Sequence, residues 1–507
     1  MAILGAASVL ALGGDLWASF PRGDGGLFLQ ICRQITAGHF AYPRAIDFNG
    51  FQIPFSYSPL AFYCVALAAR VLAMAIPHAM NLWVVGWDFA IAPAAYWASF
   101  RILRNRDLAL AAAAFVIVCP GNLPWLGMGG GITRAPGFVC YLIACGTAWD
   151  ALRDGAGRTI VLASVFGALT AWFHMEFAML YAISCVTFVA FMRPSPRRVL
   201  ALIVGTTLLT LPWLLLLHLN LAPFGQAAQT SHSSMGYSPL PWILWFYGLP
   251  PGQNVVGLMG TLALIWLLLE RRYDWLIWSF VLVFLDSRAG PQAAHLPLGL
   301  AVGWGFGRLR DSLRVPHAKA WVAFLGVIAF GVALSSASAE SRAYRRLDRG
   351  DIADMGWIGT HTERNALVVT AAPKATTPVL DDDQSYEWLP AIAQRRSPTT
   401  YEGLEWVGSR TYARFQSNYY FVQGRCPNVG IKCVERFMRR SLDPASPAYL
   451  FVPRGDAGGT FATALIATDR RFALVHADSG GAVFRFLRKT ASNESKGAVS
   501  RRRISAR

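Results

Sequence analysis

Charge is scarce in this chain of 507 residues: Asp, Glu, Lys and Arg make up 15% of it, and only 29 are acidic against 46 Lys and Arg. So few charges, with 54% hydrophobic residues, 18 Trp and 31 Phe, exclude an ordinary soluble core and put most of the chain in a bilayer. No internal repeat is present, which counts against the repeat-built transporter folds. Residues 1 to 18 lack a basic leading region and a convincing cleavage site, so they read as a first membrane helix carrying Asp15 rather than a removable signal peptide. The shortage of acids leaves a net charge of +17. In a soluble protein that would suggest nucleic acid. Here the excess sits in short interhelical loops and a basic tail, where it sets topology, and no nucleic-acid partner is expected.

Apolar runs of roughly 14 to 22 residues recur as far as about residue 337 and then stop, the spacing of a polytopic helical protein. Clusters at Arg101, Arg104 and Arg106, at Arg153 and Arg158, at Arg193, Arg197 and Arg198, at Arg271 and Arg272, and at Arg308, Arg310, Arg314 and Lys319 mark cytoplasmic loops. Between them lie apolar segments near 107 to 120, 137 to 152, 159 to 173, 176 to 192, 199 to 218, 254 to 270, 274 to 287, 291 to 307 and 319 to 337. Taken in pairs, these return the chain to one side at each cluster. The other side receives the loops at 121 to 136, 173 to 176, 219 to 253 and 286 to 291, and everything after 338. If Asp24 faces outward, segments 57 to 76 and 81 to 101 cannot both span. The second is assigned as the span, with Trp83 and Trp87 near one interface and Arg101 and Arg104 at the other. Segment 58 to 75, carrying Arg70, becomes a helix along the outer surface. The expectation is a polytopic α-helical membrane domain over 1–338, of about 11 spans, with a long outer loop at 20–80.

That loop holds the most distinctive residues. Pro21-Arg22-Gly23-Asp24-Gly25-Gly26 precedes Tyr42-Pro43-Arg44 and then Asn49-Gly50-Phe51-Gln52-Ile53-Pro54-Phe55-Ser56-Tyr57-Ser58-Pro59-Leu60. A carboxylate in a glycine-flanked turn at a membrane face, backed by polar and aromatic residues, suits a catalytic site. The alternative is an N-cap for a helix starting near Gly25. His39, Arg44 and Asp47 belong to the same loop as candidate lining for an acceptor cleft, or as solvated side chains.

The order of parts, with Arg22, Asp24-Gly25-Gly26, the stretch from Asn49 to Leu60, Gly129-Gly130-Gly131-Ile132-Thr133-Arg134, and His174 with Glu176, resembles the GT-C superfamily of integral-membrane glycosyltransferases. Within it the chain looks most like bacterial relatives of protein O-mannosyltransferases and lipid A aminoarabinose transferases. The resemblance implies that Asp24 acts on the acceptor, that the donor is a sugar on a polyprenyl phosphate, and that the protein sits in a bacterial inner membrane. Independently, glycosyl transfer to a hydroxyl needs a carboxylate to take the proton, and a lipid phosphate leaving group needs cations or a metal. In several branches a later loop supplies a second acid for a divalent metal. Here Gly129 to Gly137 offers Arg134 instead, as a phosphate ligand or an interfacial anchor. His174 and Glu176, at the turn of two short spans, either face a cavity or form a structural pair. Asp286, Arg288 and His295 lie near another outer turn, and Arg288 resembles a late phosphate-handling Arg.

After residue 340 the pattern changes to short strands and helices: 366 to 370, 387 to 393, 449 to 453, 472 to 476 and 482 to 486. That argues for an extracytoplasmic α/β domain over 340–488, a lid or acceptor-binding module. No nucleophile motif, phosphate loop or metal-ligand spacing occurs there, and Asp381-Asp382-Asp383 reads as a solvated loop. Of eight cysteines, Cys426 and Cys433 flank a short Pro- and Gly-containing loop and are expected to be disulfide-bonded. Cys32 and Cys64 lie in the outer loop, and Cys119, Cys140, Cys145 and Cys185 pack as small apolar groups. Residues 489–507 read as a disordered basic tail. Two rival functions stay open beside transfer: a transporter or flippase of lipid-linked glycans, and a non-catalytic envelope assembly protein.

Overall fold

The computed structural model describes residues 18–119, 122–218, 254–286, 288–312, 326, 330–332, 335, 347–371, 385–453, 469–478 and 481–488. The expected first helix up to residue 17, the loop at 219 to 253, most of the segment at 319 to 337, the Asp381-Asp382-Asp383 run and the tail lie outside these residues. The chain forms two units. One comprises Met1–Ile46, Gln52–Arg346 and Glu405–Ser409, the other Asp47–Phe51, Leu347–Leu404 and Arg410–Arg507.

In the first unit the described helices are α1 (Gly26–Ala37), α2 (Leu60–Val71), α3 (Ile76–Leu103), α4 (Arg106–Val118), α5 (Asn122–Gly127), α6 (Gly131–Asp154), α7 (Gly157–Phe173), α8 (Met175–Met192), α9 (Pro196–His218), α10 (Asn254–Leu269), α11 (Tyr273–Leu285) and α12 (Gly290–Ser312). Three of them, over Gly131–Asp154, Met175–Met192 and Pro196–Leu217, are long and apolar enough to cross a membrane. They differ in surroundings. Most of α6 is buried by other helices, whereas Leu200, Ile203, Leu208 and Leu215 of α9 are exposed, the pattern of a central helix and a lipid-facing one. Small residues let helices meet backbone to backbone. A Cβ on Gly299 of α12 would stand 2.8 Å from the Ala112 carbonyl oxygen of α4, and Gly303 leans likewise on the Leu108 carbonyl.

Segment 58 to 75 is the helix α2, whose 12 residues cover about 18 Å. A hydrocarbon core of about 30 Å is out of its reach. The other expected boundaries need two corrections. Helix α3 begins at Ile76 with Pro77 in its first turn, where proline costs no hydrogen bond, so it starts earlier than the expected 81. Helix α6 begins at Gly131 rather than 137, which puts Arg134 on a helix instead of in a loop.

The arginine clusters meet. Arg104 Nη2 lies 2.5 Å from Asp150 Oδ1 and 3.3 Å from Asp154 Oδ2, and Arg101 pairs with the same buried Asp150. Arg198 Nη1 donates to the carbonyls of Leu152 at 3.1 Å and Arg153 at 2.8 Å. Arg310 reaches Asp107 at 3.0 Å. The loops after α3, α6 and α8 and the last turn of α12 thus share one end of the helix set. The turns after α5, α7 and α11 fall at the other.

The second unit contains a four-stranded sheet in the order β3-β4-β6-β5, where β3 is Leu367–Thr370, β4 Ala448–Pro453, β5 Phe472–Ala477 and β6 Gly481–Phe486. β3 runs parallel to β4, and the other pairs are antiparallel. Every residue of β4 is buried, as a central strand covered on both faces requires. Around it stand α13 (Arg349–His361), α14 (Ser385–Ile392), α15 (Ser409–Tyr419), α16 (Cys426–Val429) and α17 (Ile431–Ser441). Cys426 and Cys433 form a disulfide in the core under α17. The six other cysteines are free thiols. The Asn49-Gly50 motif is the tip of a hairpin between β1 (Ala45–Phe48) and β2 (Phe51–Pro54), with φ of 54° and 78° at the two residues, the geometry this dipeptide favours. Asn49 accepts from the Ser397 amide at 2.6 Å and donates to the Thr400 carbonyl at 3.0 Å.

Candidate active site

Asp24 does not cap the helix that follows it. Gly25 occupies the N-cap position of α1 and no side chain bonds there. The carboxylate reaches instead to the start of α6, where Oδ1 accepts from the Gly130 amide at 2.6 Å and Oδ2 lies 3.3 Å from Arg134 Nη2. A helix N-terminus and a guanidinium are both natural partners of a carboxylate. The two segments are also joined through the backbone, since the Gly129 amide donates to the Arg22 carbonyl at 2.8 Å. The triple glycine has a steric cause. A Cβ on Gly129 would overlap the Asp24 carbonyl, and one on Gly130 would stand 2.6 Å from Arg134 Nη2 and 2.7 Å from Asp24 Oδ2.

From Arg134 the polar groups continue in sequence. Its guanidinium lies over the Trp125 ring, 4.9 Å from the centroid, a cation–π contact. Trp125 meets the His174 ring edge to face at 6.4 Å. His174 occupies the single-residue turn between α7 and α8. Burial first, then the charges of Arg134 and Arg288, hold its imidazole well below the usual histidine range, so it is neutral at pH 7. His174 Nε2 lies 3.9 Å from Glu176 Oε2, and Glu176 Oε1 lies 3.3 Å from Arg288 Nη1. Glu176 stabilises the Arg288 cation, as Glu405 and Asp286 do more weakly.

The turn after α11 is shaped by Asp286, which is fully buried and whose Oδ1 accepts from the amides of Arg288 at 2.8 Å and Ala289 at 3.0 Å. Burial and the nearby Glu176 push its carboxyl up. Tyr57 donates to Glu405 Oε1 at 3.2 Å and packs on Trp406, 5.1 Å between centroids. The site therefore alternates acids with two cations, Arg134 and Arg288, around a neutral histidine.

The structure brings Asp24, Arg134, His174, Glu176 and Arg288 into one chain of contacts, with Arg22 contributing through its backbone. Arg44 and Asp47 stand apart: both are exposed, before and within β1, and neither meets Asp24. His39 is an exposed turn residue. His295 is fully buried inside α12 rather than at the turn. Sequence reasoning missed Trp125, Glu405 and Asp88, and named Tyr57 only within the Asn49 to Leu60 stretch without a role of its own. Tyr57 and Glu405 both lie in stretches of turn-like composition, the one local signal that could have found them. Asp88 is a fully buried acid inside a 28-residue helix, and a buried carboxylate in a membrane helix is itself a functional signal.

The residues at Asp24 do not fit a divalent metal. Both carboxylate oxygens are engaged, one by a guanidinium that would repel a cation, and among the described residues Asp24 joins no cluster of three metal-ligating side chains.

The helix set has the fold of the GT-C glycosyltransferases. The chain is similar to ArnT from Cupriavidus metallidurans bound to undecaprenyl phosphate, at 13% identity over 96% of each chain, with a TM-score of 0.50. It is also similar to the oligosaccharyltransferase of Archaeoglobus fulgidus, at 11% identity over 95% of this chain and 74% of that one, with a TM-score of 0.61. A third likeness is to the mycobacterial arabinofuranosyltransferase AftD, at 14% identity and a TM-score of 0.51, over 96% of this chain and 40% of that one. No protein-family model matches the sequence, and no curated protein does.

Proposed function

We propose that this protein is a membrane glycosyltransferase that moves a sugar from a polyprenyl-phosphate donor to an extracytoplasmic acceptor, a glycan, lipid or protein, at a bacterial inner membrane. The observation that carries the reading is the pairing of Asp24 with Arg134 beside a second cation, Arg288. In the step, the acceptor hydroxyl oxygen attacks the anomeric carbon and its proton passes to the Asp24 carboxylate. The bond from that carbon to the phosphate oxygen breaks, and its electron pair leaves with the polyprenyl phosphate. Arg134 and Arg288 hold the charge that develops there. Neutral His174 keeps the gap between the two cations free of a third positive charge. The ArnT structure with bound undecaprenyl phosphate supports a lipid-linked donor for this fold.

On this reading the arginine-rich end of the helices faces the cytoplasm and Asp24 faces outward, as does the second unit. Glycan profiling of lipid extracts from a deletion strain tests the function. Loss of one glycan modification with its donor retained supports transfer, whereas accumulation of an untransported lipid-linked precursor would favour a flippase.

A further inference from the structure

The second unit contains a cluster that sugar transfer does not use. Asp354 on α13 is fully buried, and neither of its carboxylate oxygens receives a hydrogen bond. It faces His476, whose Nε2 lies 3.0 Å from Asp354 Oδ1 and 3.5 Å from Asp478 Oδ2. The 3.0 Å approach is not aligned as a hydrogen bond, since Nε2 and Oδ1 are both unsatisfied by that geometry. One ligand atom from each of the three residues lies within 4.8 Å of the others. Burying a carboxylate beside a second one, with no donor to either of its oxygens, is costly unless a cation or a proton sits between them.

Local sequence builds the cluster from both sides. Helix α13 starts with a reciprocal cap in which the Asp351 amide donates to Asp348 Oδ1 at 2.7 Å and the Asp348 amide to Asp351 Oδ2 at 3.2 Å. Asp354, three residues beyond, falls on the same inward face. On the other side the pairing of β5 with β6 passes from Leu474↔Phe484 to His476↔Val483. One extra residue is accommodated there, and such a bulge re-aims the side chain beside it. Trp357 then fixes the plane of the imidazole. Its indole is stacked on His476 at 4.5 Å and on His361 at 4.8 Å, with interplanar angles of 9° and 6°.

We propose that Asp354, His476 and Asp478 hold a divalent transition-metal ion, zinc first among them, through one oxygen of each carboxylate and the His476 Nε2. Zinc bonds to such ligands are about 2.0–2.2 Å, and a tetrahedron of that size has edges of about 3.3–3.6 Å. The two separations of 3.0 and 3.5 Å lie close to those edges. An imidazole among the ligands favours zinc and its first-row neighbours over calcium or magnesium. His476 and Asp478 are partly exposed, with 22% and 34% of their side chains accessible, so an ion can enter and water can complete the shell. The metal clips α13 to the edge strand β5.

The test uses untagged full-length protein in detergent, stripped with a chelator and titrated with zinc, with metal content measured after desalting. The proposal expects about one equivalent retained and a thermal midpoint several degrees higher with zinc. Asp478→Asn, on the exposed side of the cluster, and His476→Ala should each weaken zinc binding tenfold or more and remove the midpoint shift, while Asp24→Asn keeps both. Wild-type protein that retains no zinc, or zinc bound equally well by Asp478→Asn and His476→Ala, overturns it.

Discussion

Asp24 Oδ1 accepts from the Gly130 amide at 2.6 Å across 106 residues of sequence, so the acid of the first loop is positioned by the N-terminus of α6. Its other oxygen faces Arg134 on the same helix. A methyl group at position 130 would enter this pair from one side, 2.6 Å from the guanidinium and 2.7 Å from the carboxylate. Gly130→Ala should therefore lower the transfer rate tenfold or more, since small displacements of reacting groups are costly. Gly157→Ala, where a Cβ would meet nothing within 4 Å, should leave the rate unchanged. Equal rates in the two variants would show that the Asp24–Arg134 geometry is not used.

Arg288 is held by Glu176 at 3.3 Å. If it receives the donor phosphate, Arg288→Gln should raise the donor KM about tenfold or more, since a charge-assisted hydrogen bond contributes roughly 1.5–3 kcal/mol. Donor titrations at saturating acceptor measure this. Wild-type kcat and donor KM in Arg288→Gln would remove Arg288 from the handling of the phosphate.

His174 gives a pH signature. The folded chain keeps its imidazole neutral, because burial and two arginines depress its pKa, whereas the unfolded chain takes up a proton near pH 6.5. The stability that goes with the neutral ring is complete above that pH and declines below it, by up to about 1.4 kcal/mol per pH unit. Thermal midpoints of the wild type and His174→Asn between pH 7 and 5 should diverge, the wild type falling more steeply. Parallel curves would contradict the assignment.

Topology is open to labelling. In a background with Cys32 and Cys64 replaced by Ala, a cysteine at position 105 or 198 should react with a membrane-impermeant reagent only after the cells are opened, and one at position 39 should react in intact cells. Labelling of position 105 from outside would reverse the orientation.

Much of this is legible in the sequence, for identifiable reasons. The short strands in the second unit are visible because they are short apolar runs bracketed by turn residues, and Asp24, Arg134, His174, Glu176 and Arg288 because charges are rare enough in this chain to stand out. What escapes depends on contacts between distant segments. Asp24 looks like a cap for its own helix, and only the fold shows that Gly130 of a different helix takes that carboxylate. Glu405 lies 348 residues from the tyrosine that bonds it, and no local pattern records such a pairing. Arg134 reads as a loop residue because three glycines usually end structure, whereas here they let Asp24 approach a helix that begins at the third. The cluster of Asp354, His476 and Asp478 escapes the sequence because Asp354 lies far from the other two, and the His476-Ala477-Asp478 spacing alone is common in exposed strand ends.

The central claim is that Asp24 takes the acceptor proton, and the most direct measurement is transfer by purified Asp24→Asn from a polyprenyl-phosphate donor drawn from the host's lipid extract. The amide keeps an oxygen for the Gly130 N–H, so the fold and membrane insertion should survive, but it cannot accept a proton. Turnover should fall roughly a hundredfold or more, with the thermal midpoint little changed. Wild-type turnover by a normally folded Asp24→Asn, measured at limiting enzyme, would contradict the account.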